Sequence, residues 1–212
     1  MTDKIKVGLI FGGNSSEYEV SIMSAHNIYE EIDTNKFDVY PMWITNDGYL
    51  ADDADSRKVL NNPKMEVANP HKVANISNII ELKDRPEIDV FFPIVHGNLG
   101  EDGCLQGLFR VLDKPFVGDD VLAAAVTMDK EMTKILAQRA GVPVAKWIAV
   151  KRFEYNDPDN EKLDYEYVAS QLGSDLFVKP SNQGSSVGVS HVTNEKEYKV
   201  ALAEAFKYDD KV

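Results

Sequence analysis

Two short apolar runs constrain this chain more than any other feature, because each is stopped by glycine. Ile5-Lys6-Val7-Gly8-Leu9-Ile10-Phe11 ends at Gly12-Gly13, and Ile88-Asp89-Val90-Phe91-Phe92-Pro93-Ile94-Val95 ends at His96-Gly97. Such runs read as strands of a parallel sheet, buried on both faces by helices. Asn14 to Ser21 reads as a loop. A helix is predicted from about Val20 to Ile32, with Ile22, Ala25, Ile28, Tyr29 and Ile32 on one face. Lys36 to Thr45 reads as a second strand and Asn46-Asp47-Gly48 as a turn. This is a β-α-β start. It puts the loops after both apolar runs on the carboxyl rim of the sheet, where ligands bind in open α/β folds.

The rest of the chain is less uniform. Ala51 to Lys83 is rich in Asp, Asn, Lys and Pro, and is predicted to be an exposed connection holding one short strand and one short helix. Cys104 to Leu112 places Leu105, Leu108, Phe109 and Leu112 at helical spacing, and Lys114 to Gly118 reads as a short strand and turn. Asp119 or Asp120 caps a long predicted helix from about Val121 to Ala140, ended by Gly141. Val142-Pro143 opens a predicted strand, Val144 to Lys151, and a change of domain is expected near it. A loop over Asn156 to Leu163 and a helix from Tyr165 to Leu172, closed by Gly173, lead into a predicted hairpin, Leu176 to Val192. Asn194, with Glu197 three residues on, begins the last helix, which runs to about Phe206.

Composition removes several classes of function. With 212 residues, 43% hydrophobic and 27% charged, the chain has the balance of a folded protein of one large or two small domains. A net charge of −12 repels a nucleic-acid backbone. No apolar run is long enough for a membrane span, and Met1-Thr2-Asp3-Lys4 leads into a strand without a signal peptide's apolar core. The single cysteine, Cys104, permits no internal disulfide and fits a reducing compartment. It reads as a small core or helix-face residue. His26, His71 and His191 show no metal-ligand spacing relative to His96.

The chemistry gathers in a few places. In Phe177-Val178-Lys179-Pro180-Ser181-Asn182-Gln183-Gly184-Ser185-Ser186-Val187-Gly188-Val189, a strand delivers a lysine to a loop of small and polar residues. Gly184 and Gly188 can take positive φ, and backbone N–H groups, hydroxyls and an ammonium together suit an oligophosphate. The lysine precedes the glycines and Val187 to Val192 reads as a strand, so this is no P-loop but a hairpin flap. An ordinary glycine-rich hairpin turn is the other reading. The first loop lacks G-x-G-x-x-G, which counts against a nicotinamide site. Glu17 stands where a carboxylate suits the helix N-terminus and can meet an ammonium, although Glu17 or Glu19 can equally be a first-turn helix acid. His96 at a strand end can orient a substrate carboxylate or bond its own loop. Lys130, as a helix residue, is expected in solvent or beside an i, i+4 partner.

Read together, Gly12-Gly13-Asn14-Ser15-Ser16-Glu17-Tyr18-Glu19-Val20-Ser21, His96-Gly97-Asn98-Leu99-Gly100-Glu101-Asp102-Gly103, Met128-Asp129-Lys130, and Val178-Lys179-Pro180 with Gly184-Ser185-Ser186-Val187-Gly188 resemble the D-alanine–D-alanine ligases of the ATP-grasp superfamily. The blocks span nearly the whole chain in order. The resemblance implies a Rossmann-like parallel sheet over residues 1–125 and the small α+β lid subdomain of an ATP-grasp fold over 126–212. It implies a cytoplasmic, homodimeric enzyme that uses ATP with Mg²⁺ or Mn²⁺ to join two D-alanines for peptidoglycan, and hence for cell wall and cell shape. The reaction passes through an acylphosphate. Lys130 and Lys179 then contact ATP phosphates, and Gly184, Ser185, Ser186, Val187 and Gly188 cover them. Glu17 holds the ammonium of the first D-alanine, with His96 beside that amino acid. Ser185 is linked to Glu17 through a tyrosine that the family carries further along its chain. The adenine-contacting strand, an oxyanion-side arginine and the acidic metal ligands also belong to that further part, so these 212 residues alone are expected not to catalyse ligation. D-lactate or D-serine in place of the second D-alanine is the alternative within the family.

Overall fold

The computed structural model describes residues 4–75, 88–157, 160 and 163–212, which form two compact units, Met1–Ala125 and Val126–Val212. The first unit is built on a five-stranded sheet. Its strands are β1 (Ile5–Gly12), β2 (Phe37–Ile44), β3 (Tyr49–Ala51), β4 (Lys72–Asn75) and β5 (Val90–Ile94), in the order β4-β3-β2-β1-β5. β1 pairs parallel with both β2 and β5, whereas β3 and β4 add antiparallel strands at one edge. The side-chain period of two divides the buried residues cleanly. Leu9, Phe11, Val39 and Trp43 face α1 (Tyr18–Glu31) and α2 (Asp53–Asn61), which contribute Ile22, Ala25, Val59 and Leu60. Ile10, Met42, Ile44 and Phe91 face α3 (Cys104–Val111), which brings Leu105 and Phe109. Helices on both faces are what the apolar runs predict.

The connection after β3 holds the one short helix and one short strand predicted for it, α2 and β4, but it is not exposed throughout. α2 buries Val59 and Leu60, is capped by Asp52, and returns the chain to β4 through a bond from the His71 N–H to Asp55. The expectation over residues 76–83 lies outside the described residues. Lys114 to Gly118 makes only an isolated bridge at Phe116, on which Phe109 packs. Cys104 is exposed at the first turn of α3.

The second unit contains α5 (Lys130–Arg139), α6 (Arg152–Tyr155), α7 (Tyr165–Leu172), the antiparallel hairpin β6 (Leu176–Val178) and β7 (Ser190–Val192), and α8 (Glu195–Ala205). Helix α4 (Val121–Met128) carries the chain from one unit to the next. The core of the second unit joins Val150, Val168, Leu176, Val178 and Val192 to Tyr198, Leu202 and Phe206 of the α8 region.

Three predicted elements differ here. The long helix from Val121 to Ala140 is two helices. Asp129 takes an extended backbone (φ −81, ψ 109), and its carboxylate accepts from the N–H groups of Glu131 and Met132, starting a new helix. Val144 to Lys151 is not a strand. The C-terminal residues pair only with its end, through two bonds between Val150 and Val212 and a bridge from Lys151 to Lys211. The second hairpin strand begins at Ser190 rather than Val187, because Ser185, Ser186 and Gly188 adopt positive φ and turn the chain. Gly188 takes the positive φ open to a glycine, and Gly184 does not.

Candidate functional site

In the first unit the carboxyl ends of β1 and β5 form a rim held by one serine. Ser21 of α1 is fully buried, accepts from the Gly12 N–H at 2.8 Å and donates to the Ile94 carbonyl. Gly12 has φ +88 beside the Ile44 carbonyl, and a Cβ there would lie 2.1 Å from that oxygen. Only glycine fits, so the turn out of β1 is fixed by backbone alone.

Glu17 and His96 both stand on this rim. Glu17 occupies the N-cap position of α1, but its carboxylate does not cap the helix. It is 8% exposed and turned toward Gly97, where an added Cβ would lie 2.8 Å from Oε2. Glu19, the other candidate first-turn acid, points to solvent. The Ser15 hydroxyl joins the two loops: it accepts from the Glu17 N–H at 3.2 Å and donates to the His96 carbonyl at 2.8 Å. The His96 ring lies between two elements. Nδ1 is 3.3 Å from Glu101 in its own loop, and Nε2 is 3.0 Å from the Ser24 hydroxyl on α1. Glu101 also receives the Gly97 N–H at 2.8 Å. The result is a buried carboxylate and a half-buried imidazole, each with its backbone fixed.

The second unit carries a cleft of about 720 Å³. Lys130, Lys134, Lys146 and Lys179 line it, with Glu131 and Asp175 as the acids and Trp147, Ile148, Phe177 and Leu202 among its apolar walls. Lys130 is not a solvent lysine. Its ammonium donates to the carbonyls of Ser181, at 3.3 Å, and Gln183, and its own N–H meets the Ser181 carbonyl at 3.1 Å. The helix lysine and the loop after Lys179 are thus brought together. Asp209 accepts from the N–H and side-chain amide of Asn182 at 2.6 and 3.0 Å, which fixes the loop base. Beyond Gln183 the loop makes two short turns, Gly184 to Val187 and Ser186 to Val189, with both serine side chains exposed. Gly188 packs so closely that a Cβ would meet Pro180 and Tyr208 at 2.8 Å.

Lys134 was not singled out by sequence reading, although its position one helical turn after Lys130 is the signal that it shares that face. Its ammonium is 5.4 Å from the centre of the Trp147 ring. Burial, and then the charge of Lys179, hold its proton affinity below the ordinary lysine value. Ser24 gives no sequence signal at all, since it lies 72 residues from the histidine it touches.

Two family models match this chain, one described as D-ala D-ala ligase N-terminus over residues 6–119 and one as D-ala D-ala ligase C-terminus over residues 136–212. The chain belongs to the D-alanine–D-alanine ligase family. It is 98% identical over all 212 residues to the D-alanine–D-alanine ligase of Lactobacillus gasseri and 76% identical to that of Lactobacillus acidophilus, in each case covering 59% of the relative. It therefore spans about three fifths of the length of these ligases. Among solved structures it resembles the D-alanine–D-alanine ligase of Coxiella burnetii, with a TM-score of 0.77 at 31% identity, over 98% of this chain and 62% of that one. The VanG D-Ala:D-Ser ligase of Enterococcus faecalis is similar, with a TM-score of 0.76 at 34% identity over 99% of this chain and 61% of the other. Within this family fold, no helix of the described residues is long and apolar enough to cross a membrane.

Proposed function

We propose that this chain works, within a protein of its relatives' length, as part of an ATP-dependent ligase joining two D-alanines for peptidoglycan. The observation that carries the reading is the convergence of Lys130, Lys134, Lys179 and Ser181 on one cleft, with the Lys130 ammonium bonded to the base of the 181–188 loop, in a protein of net charge −12. Ammonium groups concentrated against that overall charge favour an oligophosphate, and the apolar walls favour the base it carries. Lys130 and Lys179 hold the phosphates. Gly184, Ser185, Ser186, Val187 and Gly188 cover them.

The γ-phosphoryl group passes to the carboxylate of the first D-alanine, giving an acylphosphate and ADP. The amine of the second D-alanine then attacks the acyl carbon, phosphate leaves, and the new amide loses a proton. The lysines act where negative charge shifts during the transfer. On the rim of the other unit, Glu17 holds the ammonium of the first D-alanine by charge. His96 lies beside that amino acid, its ring fixed by Ser24 and Glu101. Mg²⁺ or Mn²⁺ is expected with ATP. Among the described residues no group of three or more His, Cys, Asp or Glu is placed to hold a cation, and the acidic ligands are expected in the further part of the family's chain. A cytoplasmic homodimer completes the reading, with fractionation and sedimentation as its checks.

Likeness to a D-Ala:D-Ser ligase keeps D-serine as the alternative acceptor, beside D-lactate. The test is phosphate release by the full-length protein with ATP, D-alanine and each acceptor in parallel. Release that needs D-alanine and yields D-alanyl-D-alanine is expected, and Lys179→Ala is expected to slow it about a hundredfold. No release with any acceptor overturns the reading, and preference for D-serine or D-lactate replaces the acceptor. The 212-residue chain alone is expected to release no phosphate and to bind ATP weakly.

A further inference from the structure

One charged cluster beside Lys130 has no part in the chemistry above. Lys211 donates to Asp129 Oδ2 at 2.6 Å and to Glu131 Oε2 at 2.9 Å, with its side chain only 16% exposed. The other oxygen of Asp129 accepts from the Ser181 hydroxyl at 3.1 Å and from the N–H groups of Glu131 and Met132 at 3.0 and 3.1 Å. Ser181 is also the residue whose carbonyl receives both the N–H and the ammonium of Lys130. One ammonium therefore pins the residues on either side of Lys130, and one carboxylate pins both the helix start and the loop base.

We infer that Lys211 and Asp129 are a positioning pair that fixes Lys130 and the base of the 181–188 loop for the phosphates of the nucleotide. This rests on the reading of the cleft as an ATP site. A lysine is a point charge on a flexible stem, so its contribution depends on how firmly its backbone is placed. Neither Lys211 nor Asp129 contacts the nucleotide; both act through Lys130 and Ser181. Removing the cation leaves two partly buried carboxylates side by side, and these relax by moving apart.

The test uses the full-length protein and two variants that break the same pair, Lys211→Gln and Asp129→Asn, with Lys130→Ala as reference. Asn at position 129 keeps an oxygen able to cap α5. Binding of a non-hydrolysable ATP analogue is measured by calorimetry, and KM is measured for ATP and D-alanine. Each variant is expected to weaken nucleotide binding about tenfold and leave the KM of D-alanine unchanged. The double variant is expected to be no weaker than the weaker single, and Lys211→Arg to recover most of the loss. If Lys130→Ala weakens nucleotide binding while a folded Lys211→Gln or Asp129→Asn does not, the pair is refuted and the ATP site stands. If Lys130→Ala also leaves binding unchanged, the ATP reading fails and takes the inference with it. Should one variant not fold, the other decides, since each removes the same ion pair.

Discussion

Ser21 shows how much a single hydroxyl holds in place. It joins the last N–H of β1 to the last carbonyl of β5, so both rim loops start from fixed points. Ser21→Ala leaves that N–H and that carbonyl buried without this partner. The expected cost is about 1–3 kcal/mol of stability, read as a lower urea midpoint with an unchanged slope. Gly8 carries a different constraint. Its added Cβ would lie 2.8 Å from the ring of Phe91, a side chain that is fully buried and stacked on Phe109 at 5.1 Å. Gly8→Ala therefore overpacks the sheet and is expected to cost about 1–3 kcal/mol in the same measurement. Glu17 and His96 were legible because a strand that stops at glycine puts the next residues on a rim. Ser24 and Glu101 were not, because the His96 ring is held by contacts that depend on the approach of α1 and on the path of its own loop.

At the scale of elements, legibility followed the source of the hydrogen bonds. β1, β2, α1, α3, α7 and α8 carry their own periodicity or caps. Asn194 accepts from the Glu197 N–H at 3.0 Å, as its spacing predicts, although Glu197 reaches back to Thr193 instead. The break between α4 and α5 was hidden, since an aspartate within a helical pattern reads the same whether it points to solvent or caps. What makes it a cap is its setting, in which Ser181 and Lys211 hold the carboxylate. That setting has a pH signature. Burial alone would push the Asp129 carboxyl up, but Lys211, the Met132 N–H and the Ser181 hydroxyl outweigh it and hold it below the ordinary range. Burial likewise opposes the charge on Lys211, and Asp129 and Glu131 outweigh it, raising its proton affinity. A depressed carboxylate stabilises the fold above its unfolded value, about 3.9, and loses that contribution as pH falls through the folded value. A raised lysine stabilises it below about 10.4 and loses that contribution as pH rises through the folded value. The melting-temperature advantage of the native chain over Lys211→Met is therefore expected to be flat from about pH 5 to 9 and to shrink at both ends. A slope across neutral pH would show that another group governs the pair.

For the whole molecule, the distribution of buried side chains is the decisive feature. Among the described residues, the buried side chains of the two clusters on either face of the sheet come from Leu9 to Leu112, and those of the third from Val150 to Phe206. Each unit thus carries its own apolar core, which is the physical meaning of a domain. The predicted change of domain near Val142 followed from a strand that does not form, whereas the chain divides into its compact units between Ala125 and Val126, within α4, where no proline or glycine marks the place. A continuous helix across a boundary is invisible to a reading that looks for loops. It also dictates how the units should be separated: cutting at Ala125 severs α4, whereas cutting after Met128 keeps it whole and leaves Asp129 with the helix it caps. A chain of residues 1–128 retains the full sheet, both of its packed faces and the Glu17–His96 rim. It is expected to unfold in urea as one cooperative transition, with fluorescence of the buried Trp43 and far-ultraviolet circular dichroism giving the same midpoint. Midpoints that separate, or a broad transition without a native baseline, would mean that the first core depends on residues beyond α4.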